Sequence, residues 1–322
     1  MKTLRRLGYL ALVLGYAQVV FGAIVRITGS GMGCGDHWPD CYGAFTPVHS
    51  GPNLLVEISH RYGAAALSLA IIALAVTAFL KRGEPGVSGR GGVLRPSLLA
   101  LLLVLVAAIF GAVTVKMALN PAVVMTHLAI AMTLLAVLVV SVVRAGGFGA
   151  TTAVARTPRT FSAGRAAAGL AFLTLVLGAL TANTPGAPLA CQGFPWCMQT
   201  TGGGSPLYIQ VTHRILAFLL FGQLIGLAMA AKKRGAPVLV RRAAWITLGA
   251  VVLQVLLAAG MVEMHLPAAF RFMHQAIGTA LWIAIVALTA LAAGRGETRD
   301  VAEVVRESSS HGEFATPEGV ST

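Results

Sequence analysis

Four histidines lie inside apolar stretches of the chain, where an ionisable side chain is costly and usually functional. Each follows, by six to eight residues, a proline of the kind that suits the first turn of a helix. At a rise of about 1.5 Å per residue, this spacing predicts that all four imidazoles lie roughly 9–12 Å below the helix ends, at a common depth. The histidines are His60, His127, His213 and His274, and the prolines are Pro52, Pro121, Pro206 and Pro267.

Two histidines in each half of the chain favour heme over a metal ion held by protein alone. A protein-only site normally needs more than two ligands, and the one acidic residue at this depth, Glu57, corresponds to Gln210 in the other half. A di-iron carboxylate site is disfavoured because it needs Glu-x-x-His on two helices and a further Glu on two more. Heme needs only two axial ligands, because the porphyrin supplies the others. The spacing therefore predicts two heme sites of the b type, each between facing histidines of a four-helix bundle.

Charged residues beside the second-helix histidines predict further roles. Arg61 and Arg214 directly follow histidines, and both are predicted to pair with heme propionates, the alternative being that they extend toward the outer membrane interface. Glu57 lies three residues before His60, on the same helix face. A carboxylate there can handle a proton or stabilise positive charge, whereas Gln210 cannot ionise, so chemistry is predicted in the first half. The alternative is a structural salt bridge between Glu57 and Arg61.

The elements that carry these residues are predicted to be membrane-spanning helices. Of the 322 residues, 57% are hydrophobic and 11% charged, against about 25% charged in a soluble protein. Eight apolar stretches are long enough to cross a bilayer core of about 30 Å. The predicted fold is an all-α polytopic membrane protein with helices at roughly 7–26, 53–80, 97–116, 121–143, 165–182, 207–230, 241–262 and 268–292.

The chain repeats itself, and the repeat predicts its organisation. Residues 22–29 (GAIVRITG) resemble 178–185 (GALTANTP), and Ser-His-Arg at 59–61 corresponds to Thr-His-Arg at 212–214. An even number of helices per unit makes the units parallel repeats, related by a pseudo-twofold axis along the membrane normal. The predicted units are a first four-helix bundle at 1–144, a cytoplasmic linker at 145–164, a second four-helix bundle at 165–293 and a disordered cytoplasmic tail at 294–322.

The net charge of +13 is distributed unevenly. Lys and Arg cluster before the first stretch, between stretches two and three, four and five, and six and seven, and after the last. All these segments fall on one side of a membrane, which by the positive-inside rule predicts that both termini are cytoplasmic. The distribution argues against a nucleic-acid partner and for the lipid bilayer. The high Ala, Gly and Arg content further favours a bacterial cell membrane.

All four cysteines fall in the two long outer loops, on the oxidising side of the membrane. This placement predicts two local disulfides, Cys34–Cys41 and Cys191–Cys197. The pairs fit two roles, bracing of the loops or thiol–disulfide exchange. Zinc is disfavoured because neither pair has a matching second pair at zinc spacing.

At these residues the sequence resembles the heme A synthase family. The motifs are VRITGSG at 25–31, DHWPDC at 36–41 and EISHR at 57–61, together with the four intramembrane histidines, and the resemblance covers roughly residues 7–292. The resemblance implies oxidation of the C8 methyl group of heme O to a formyl group through a hydroxymethyl intermediate. It also implies that Cys34 and Cys41 match the outer-loop cysteine pair of the family.

The resemblance further implies a role for each half. The first half would hold the substrate heme between His60 and His127, with Glu57 as the catalytic carboxylate. The second half would hold a heme b cofactor between His213 and His274. The implied partners are heme O, the protoheme farnesyltransferase that makes it (heme O synthase), and an electron acceptor that the sequence does not identify.

A diheme b-type membrane cytochrome for electron transfer is the alternative from another class. It would have the same bundles and histidines, but pure electron transfer does not need a carboxylate in one half. A small-molecule transporter built of parallel repeats would leave the matched histidines unexplained. Extracted pigment distinguishes the three, because a transporter yields no heme, a cytochrome yields heme B only, and a synthase yields A-type or O-type heme as well.

Overall fold

The computed structural model describes residues 1–43, 51–150 and 155–294. Within these ranges the chain forms eight helices that are long and apolar enough to cross a membrane, so the prediction of an all-α polytopic membrane protein is confirmed. The tail from residue 295 onward, predicted to be disordered, lies outside the described residues. The helices are α1 (Lys2–Ile27), α2 (Pro52–Leu80), α3 (Leu94–Lys116), α4 (Pro121–Arg144), α5 (Pro158–Asn183), α6 (Ser205–Lys233), α7 (Val238–Glu263) and α8 (Ala268–Ala292).

Prolines mark the starts of the histidine-bearing helices, as the spacing predicts. Pro52 and Pro121 are the first residues of α2 and α4, and Pro206 lies in the first turn of α6. Pro267 instead occupies the cap position directly before α8. In each of these places the missing N–H of proline leaves no helical hydrogen bond unmade.

The fifth helix is longer than its apolar stretch. The stretch covers 165–182, whereas α5 begins at Pro158. A proline again occupies the first turn, and the polar residues that follow it form part of the helix. The last residues of the segment predicted as a linker, 145–164, therefore belong to α5.

The helices pack as two rings of four. In the first ring α1 contacts α2, α2 contacts α3, α3 contacts α4, and α4 closes on α1; α5 to α8 repeat this order. Between the rings α8 packs against α1 and α4, and α4 packs against α5. An axis that exchanges α1 with α5 and α4 with α8 maps the α1–α8 contact onto the α4–α5 contact. The packing thus has the pseudo-twofold symmetry expected of tandem repeats.

The last helix is the most enclosed of the eight. In its most apolar 18-residue window 61% of residues are buried, against 11% for α7. Trp282 of α8 donates a buried hydrogen bond of 2.8 Å to the carbonyl oxygen of Met132 on α4. Fully buried Leu135, Leu138, Ile285 and Leu288 belong to the same core cluster. The two fourth helices, which carry His127 and His274, therefore form the centre of the molecule.

The two disulfide loops, which follow α1 and α5, differ in detail. The first loop has a 3-10 turn at Ser30–Met32, and the second has one at Ala187–Leu189 followed by a two-stranded hairpin of β1 (Cys191–Gln192) and β2 (Gln199–Thr200). β1 pairs antiparallel with β2, with Cys191 opposite Thr200. The predicted pairs Cys34–Cys41 and Cys191–Cys197 are both bonded, with Cα atoms 5.0 and 5.1 Å apart.

The turn before the fourth helix of each bundle has one backbone conformation in both halves. Ala118 and Leu119 have φ values of 47° and 59°, and His265 and Leu266 have values of 58° and 64°. Residues other than glycine rarely adopt this left-handed region, because Cβ crowds the backbone there. Its occurrence at corresponding positions extends the internal repeat from the sequence to the backbone.

We expect the basic loops to face the cytoplasm and the disulfide loops to face the opposite side, because lysine and arginine are retained on the cytoplasmic side during insertion. Alkaline phosphatase fused within 183–205 should be active, and the same enzyme fused after residue 294 should be inactive. Fusions to a fluorescent protein that matures only in the cytoplasm serve as the control and should give the opposite pattern. An active phosphatase at the C terminus together with an inactive loop fusion would invert the orientation.

Candidate functional site

A cavity of about 470 Å³ lies within the second bundle, and His213 and His274 both line it. This volume falls in the range of cofactor pockets, about 300–1,000 Å³. His213 comes from α6 and His274 from α8, and a positive charge on one imidazole would act on the other. The structure thus places these two predicted ligands in the wall of one cavity. Much of the remaining wall is apolar and includes Leu175, Phe218, Leu220, Val255, Leu281 and Trp282.

The ring of His213 is oriented by the neighbouring helix α5. Its Nδ1 lies 3.0 Å from the carbonyl oxygen of Thr174. With the proton on Nδ1, that nitrogen donates to the carbonyl and Nε2 is left as the metal-binding atom. Gly178, one turn further along α5, permits this approach, because a Cβ at that position would lie 2.9 Å from Cε1 of His213. Glycine is required where α5 passes the imidazole.

The ring of His274 is held by a glutamine on α7. Nε2 of Gln254 lies 3.1 and 3.2 Å from the two ring nitrogens and donates to the carbonyl oxygen of His274 at 3.0 Å. The other amide atom, Oε1 of Gln254, is buried and has no hydrogen-bond partner in the described part of the chain. A buried acceptor without a partner is costly in a packed interior. It indicates a polar site completed by something other than these residues.

The first bundle has a similar arrangement, but here the glutamine contacts the histidine of the second helix instead of that of the fourth. Gln18 of α1 contacts His60 of α2, its Nε2 lying 3.0 and 3.3 Å from the ring nitrogens and 2.8 Å from the carbonyl oxygen. Gly22 faces the same imidazole, since a Cβ there would lie 3.3 Å from Cε1 of His60. Gly111 of α3 likewise faces His127 of α4. A positive charge on His127 would act on His60, so these two predicted ligands lie near one another as well.

Glu57 and Gln210 make the same hydrogen bond in the two halves. Both side chains are buried, with 4% and 5% of their surface exposed. Oε2 of Glu57 accepts from the backbone N–H of Cys34 at 2.8 Å, and Oε1 of Gln210 accepts from that of Cys191 at 2.5 Å. The amide of Gln210 also donates to the carbonyl oxygens of Pro188 and Cys191. Each side chain therefore fastens a disulfide loop to the second helix of its bundle, and bonding to the loop does not depend on ionisation.

The arginines after the histidines also bind the loops. Arg61 forms a salt bridge of 2.5 Å with Glu57, four residues earlier, and donates to the carbonyl oxygens of His37, Pro39 and Asp40. Arg214 donates to the carbonyl oxygens of Gly193 and Cys191 at 2.7 and 2.6 Å. The salt bridge considered as the alternative role of Glu57 is present. Both guanidinium groups predicted to bind propionates already have loop acceptors, although Arg214 also lines the cavity.

The side chains that line the second-half cavity suit a heme in their ligating groups and in their charge. The cavity offers two imidazoles from different helices, as axial ligation requires. Arg26, Arg214 and Arg271 line it, and none of its lining residues is Asp or Glu, which suits two anionic propionates. Among the residues that the structure describes, no group of three or more His, Cys, Asp and Glu could hold a metal ion. The ligand set matches a metal that brings its own equatorial donors.

Sequence reasoning missed several residues of these sites. The internal repeat did not reveal Gln18 and Gln254, because they do not occupy corresponding positions. The residue that aligns with Gln18 in the second half is Thr174. A search for uncharged polar residues in otherwise apolar helices would have found both. Gly22 and Gly178 did stand in the repeated segment, but only the structure relates them to the imidazoles.

Comparison with known proteins gives a consistent result. The family model for the cytochrome oxidase assembly protein COX15-CtaA matches residues 5–286. A heme A synthase of Bacillus pumilus (strain SAFR-032) is 30% identical over 239 residues, which cover 68% of this chain and 71% of that protein. A heme A synthase of Lysinibacillus sphaericus (strain C3-41) is 28% identical over 231 residues, covering 66% and 68%.

A shorter segment of the chain is similar to a protein with a different name. A protoheme IX farnesyltransferase of Thermus thermophilus is 44% identical over 75 residues, which are 22% of this chain and 12% of that protein. The family model, by contrast, covers all eight helices almost completely. On that match, the chain belongs to the COX15-CtaA family of cytochrome oxidase assembly proteins.

Proposed function

We propose that this chain is a heme-dependent membrane oxidoreductase that converts heme O to heme A. The reaction oxidises the C8 methyl group of heme O to a formyl group through a hydroxymethyl intermediate. Each of its two steps passes two electrons to an electron acceptor outside this chain and releases two protons, and water supplies the added oxygen atom. The observation that carries the proposal is the pair of histidine sites of one design, in a chain whose relatives of comparable length are heme A synthases. One site serves a resident heme b, and the other serves the substrate.

We assign the resident heme b to the second half and heme O to the first. The cavity between His213 and His274, lined by arginines and without acidic residues, supports the cofactor assignment. A heme b bound there supplies a one-electron redox centre beside the substrate. The first half has His60 and His127 for the substrate iron, and it alone has a carboxylate, Glu57, one helical turn from a ligand.

The role proposed for Glu57 is compatible with its hydrogen bonds. Arg61 balances its charge at Oε1, and the Cys34 N–H fixes Oε2. A carboxylate has about four lone-pair sites, so each oxygen can accept a further bond. Methyl oxidation removes electrons and a proton, and an anchored carboxylate can accept that proton, position a water molecule or stabilise positive charge at the ring edge.

One observation favours the second candidate, a diheme b-type cytochrome. Glu57 and Gln210 bind their loops through corresponding backbone N–H groups, those of Cys34 and Cys191. The two side chains differ in charge and in their further contacts, since Glu57 pairs with Arg61 and the amide of Gln210 donates to loop carbonyls. A purely structural pair would nevertheless share the bond to the loop. The relatives named heme A synthase favour the enzyme, and the pigment distinguishes the two functions.

The neighbouring reaction is proposed to be the farnesylation that makes heme O. Heme O is sparingly soluble in water, so transfer within the membrane from the heme O synthase to this chain avoids an aqueous step. The segment shared with a protein named protoheme IX farnesyltransferase supports this pairing. Both chains would act in the bacterial cell membrane, with the termini of this chain in the cytoplasm.

Co-expression tests the proposed reaction directly. Cells that make heme O and lack other heme A synthesis should contain heme A when this chain is present, as measured by chromatography of extracted hemes. The same cells without the chain are the control and should contain no heme A. Heme B as the only pigment of the purified protein would support the cytochrome, and a protein without heme would overturn both proposals.

Substitution of single histidines tests the assignment of the halves. His213→Ala or His274→Ala should remove the low-spin heme b spectrum of the purified protein, because an axial ligand is lost. His60→Ala and His127→Ala serve as matched controls in the other bundle and should leave most of that spectrum intact. Loss of heme b in the first-half variants alone would exchange the two roles.

Glu57→Gln tests the chemical role apart from loop anchoring, because Gln210 shows that an amide oxygen can accept the corresponding backbone N–H in the other half. The variant should fold, keep heme b and bind heme O. It should lose about 100-fold or more of heme A production, the usual contribution of a positioned acid or base. Heme O or the hydroxymethyl intermediate should accumulate, as chromatography would detect.

Two variants serve as controls for that experiment. Glu57→Ala leaves the buried N–H of Cys34 without an acceptor, at a cost of about 1–3 kcal/mol, and should lower yield as well as activity. Gln210→Glu keeps an acceptor for Cys191 and should leave the fold intact. Near-normal heme A production by Glu57→Gln would make Glu57 a structural anchor only.

A further inference from the structure

The cavity of the second bundle is lined by an arginine of the first bundle. Arg26 lies in the last turn of α1, and it lines the cavity together with Arg271 of α8. The contact between α1 and α8 across the bundle interface brings it there. Its charge acts on both Arg271 and His274. The site in the second half is therefore composed of residues from both halves.

Neither arginine side chain has a hydrogen-bond or ion-pair partner in the part of the chain that the structure describes. Within residues 1–43, 51–150 and 155–294, the side chains of Arg26 and Arg271 make no hydrogen bond and no ion pair. Both are only partly exposed. Arg61 and Arg214, by comparison, have loop carbonyls as acceptors. Two neighbouring cations beside a cavity that has no acidic lining residue are complementary to a ligand with more than one negative charge.

The position of the pair matches the carboxylate edge of a heme. Arg271 lies three residues before His274, on the same face of α8 and about 4.5 Å nearer the outer end of the helix. Arg26 is near the outer end of α1. If a heme iron were bound by His274, carboxylates directed toward this end of the helix would meet both arginines.

The internal repeat does not provide a second copy of this pair. The segment that contains Arg26 aligns with 178–185, where the corresponding residue is Ala182, and the position corresponding to Arg271 is Val124. The internal repeat therefore supplies histidines to both halves but this pair of cations to one site. A site with additional charge complementarity holds its heme more tightly than one without it.

We propose that Arg26 and Arg271 bind the propionates of the resident heme across the bundle interface, and that this pair retains the heme in the second half while the first half exchanges its own. The proposal rests on the assignment of heme b to the second half. It replaces Arg61 and Arg214 as the principal propionate partners, because their guanidinium groups already anchor the disulfide loops. It also gives a physical reason for one site to keep its heme and for the other to release product.

Heme retention tests the proposal without a measurement of activity. Purified Arg26→Gln and Arg271→Gln should transfer heme b to excess apomyoglobin at least about tenfold faster than the unsubstituted protein, since each loses a charged hydrogen-bond partner. The bound fraction should keep its low-spin spectrum, because His213 and His274 are unchanged. Arg6→Gln, which removes an exposed arginine at the opposite end of α1, is the matched control and should transfer heme at the original rate. His274→Ala defines the signal of any heme held elsewhere.

A second probe identifies the chemical group that is recognised. Protein made in heme-deficient cells is supplied with iron protoporphyrin or with its dimethyl ester, which lacks the carboxylates. The unsubstituted protein should prefer the free acid, and Arg26→Gln should lose most of that preference. Arg26→Lys, which keeps the charge, should retain part of it and serves as the test if the glutamine variant does not accumulate.

The outcomes separate this inference from the proposed function. Unchanged heme transfer and unchanged preference in the Arg26 variants would overturn the inference alone, as would faster loss confined to the substrate heme. An unsubstituted protein that binds no heme through His274 would overturn the assignment of heme b and this inference with it.

Discussion

The hydrogen bond from the first cysteine of each disulfide loop to the second helix of its bundle is the interaction on which both sites depend. Glu57 receives it in the first half and Gln210 in the second. Each acceptor lies one helical turn before a histidine, and the arginine after that histidine binds further carbonyls of the same loop. The position of each loop over its bundle is thereby linked to the helix that presents the predicted ligand. The disulfides close the loops, and the buried hydrogen bonds determine where they lie.

The two halves share this framework and differ in charge. The first half has a carboxylate and arginine pair at its loop anchor, where the second half has a neutral amide. The second-half cavity is lined by Arg26 and Arg271, whose counterparts in the repeat are Ala182 and Val124. In a medium of low dielectric constant such differences have large effects on affinity and on proton transfer. A duplicated bundle can in this way acquire two functions without a change of fold.

The interface between the bundles is part of the site and not only a scaffold. The fourth helices carry His127 and His274 and pack against each other, with the indole of Trp282 bonded to the carbonyl of Met132. Trp282 also lines the second-half cavity. Because Arg26 reaches that cavity from the first half, the bundles are not independent binding units. Separation of the halves would remove a wall and a cation from the second site.

Hydropathy, proline position and cysteine spacing were enough to predict the membrane class, the eight helices, the repeat and both disulfides, because these are local properties that the bilayer and helix geometry constrain strongly. The four histidines were also identifiable as candidates, since buried ionisable residues are rare. The contacts of the neighbouring polar groups could be read from the folded chain alone. Spacing predicts roles at the heme for Glu57 and Arg61, and the structure adds that both bond to a disulfide loop. Arg26 belongs to one bundle by sequence but lines the cavity of the other. Helical spacing fixes the face on which a side chain lies, whereas its partner depends on which helix packs against that face.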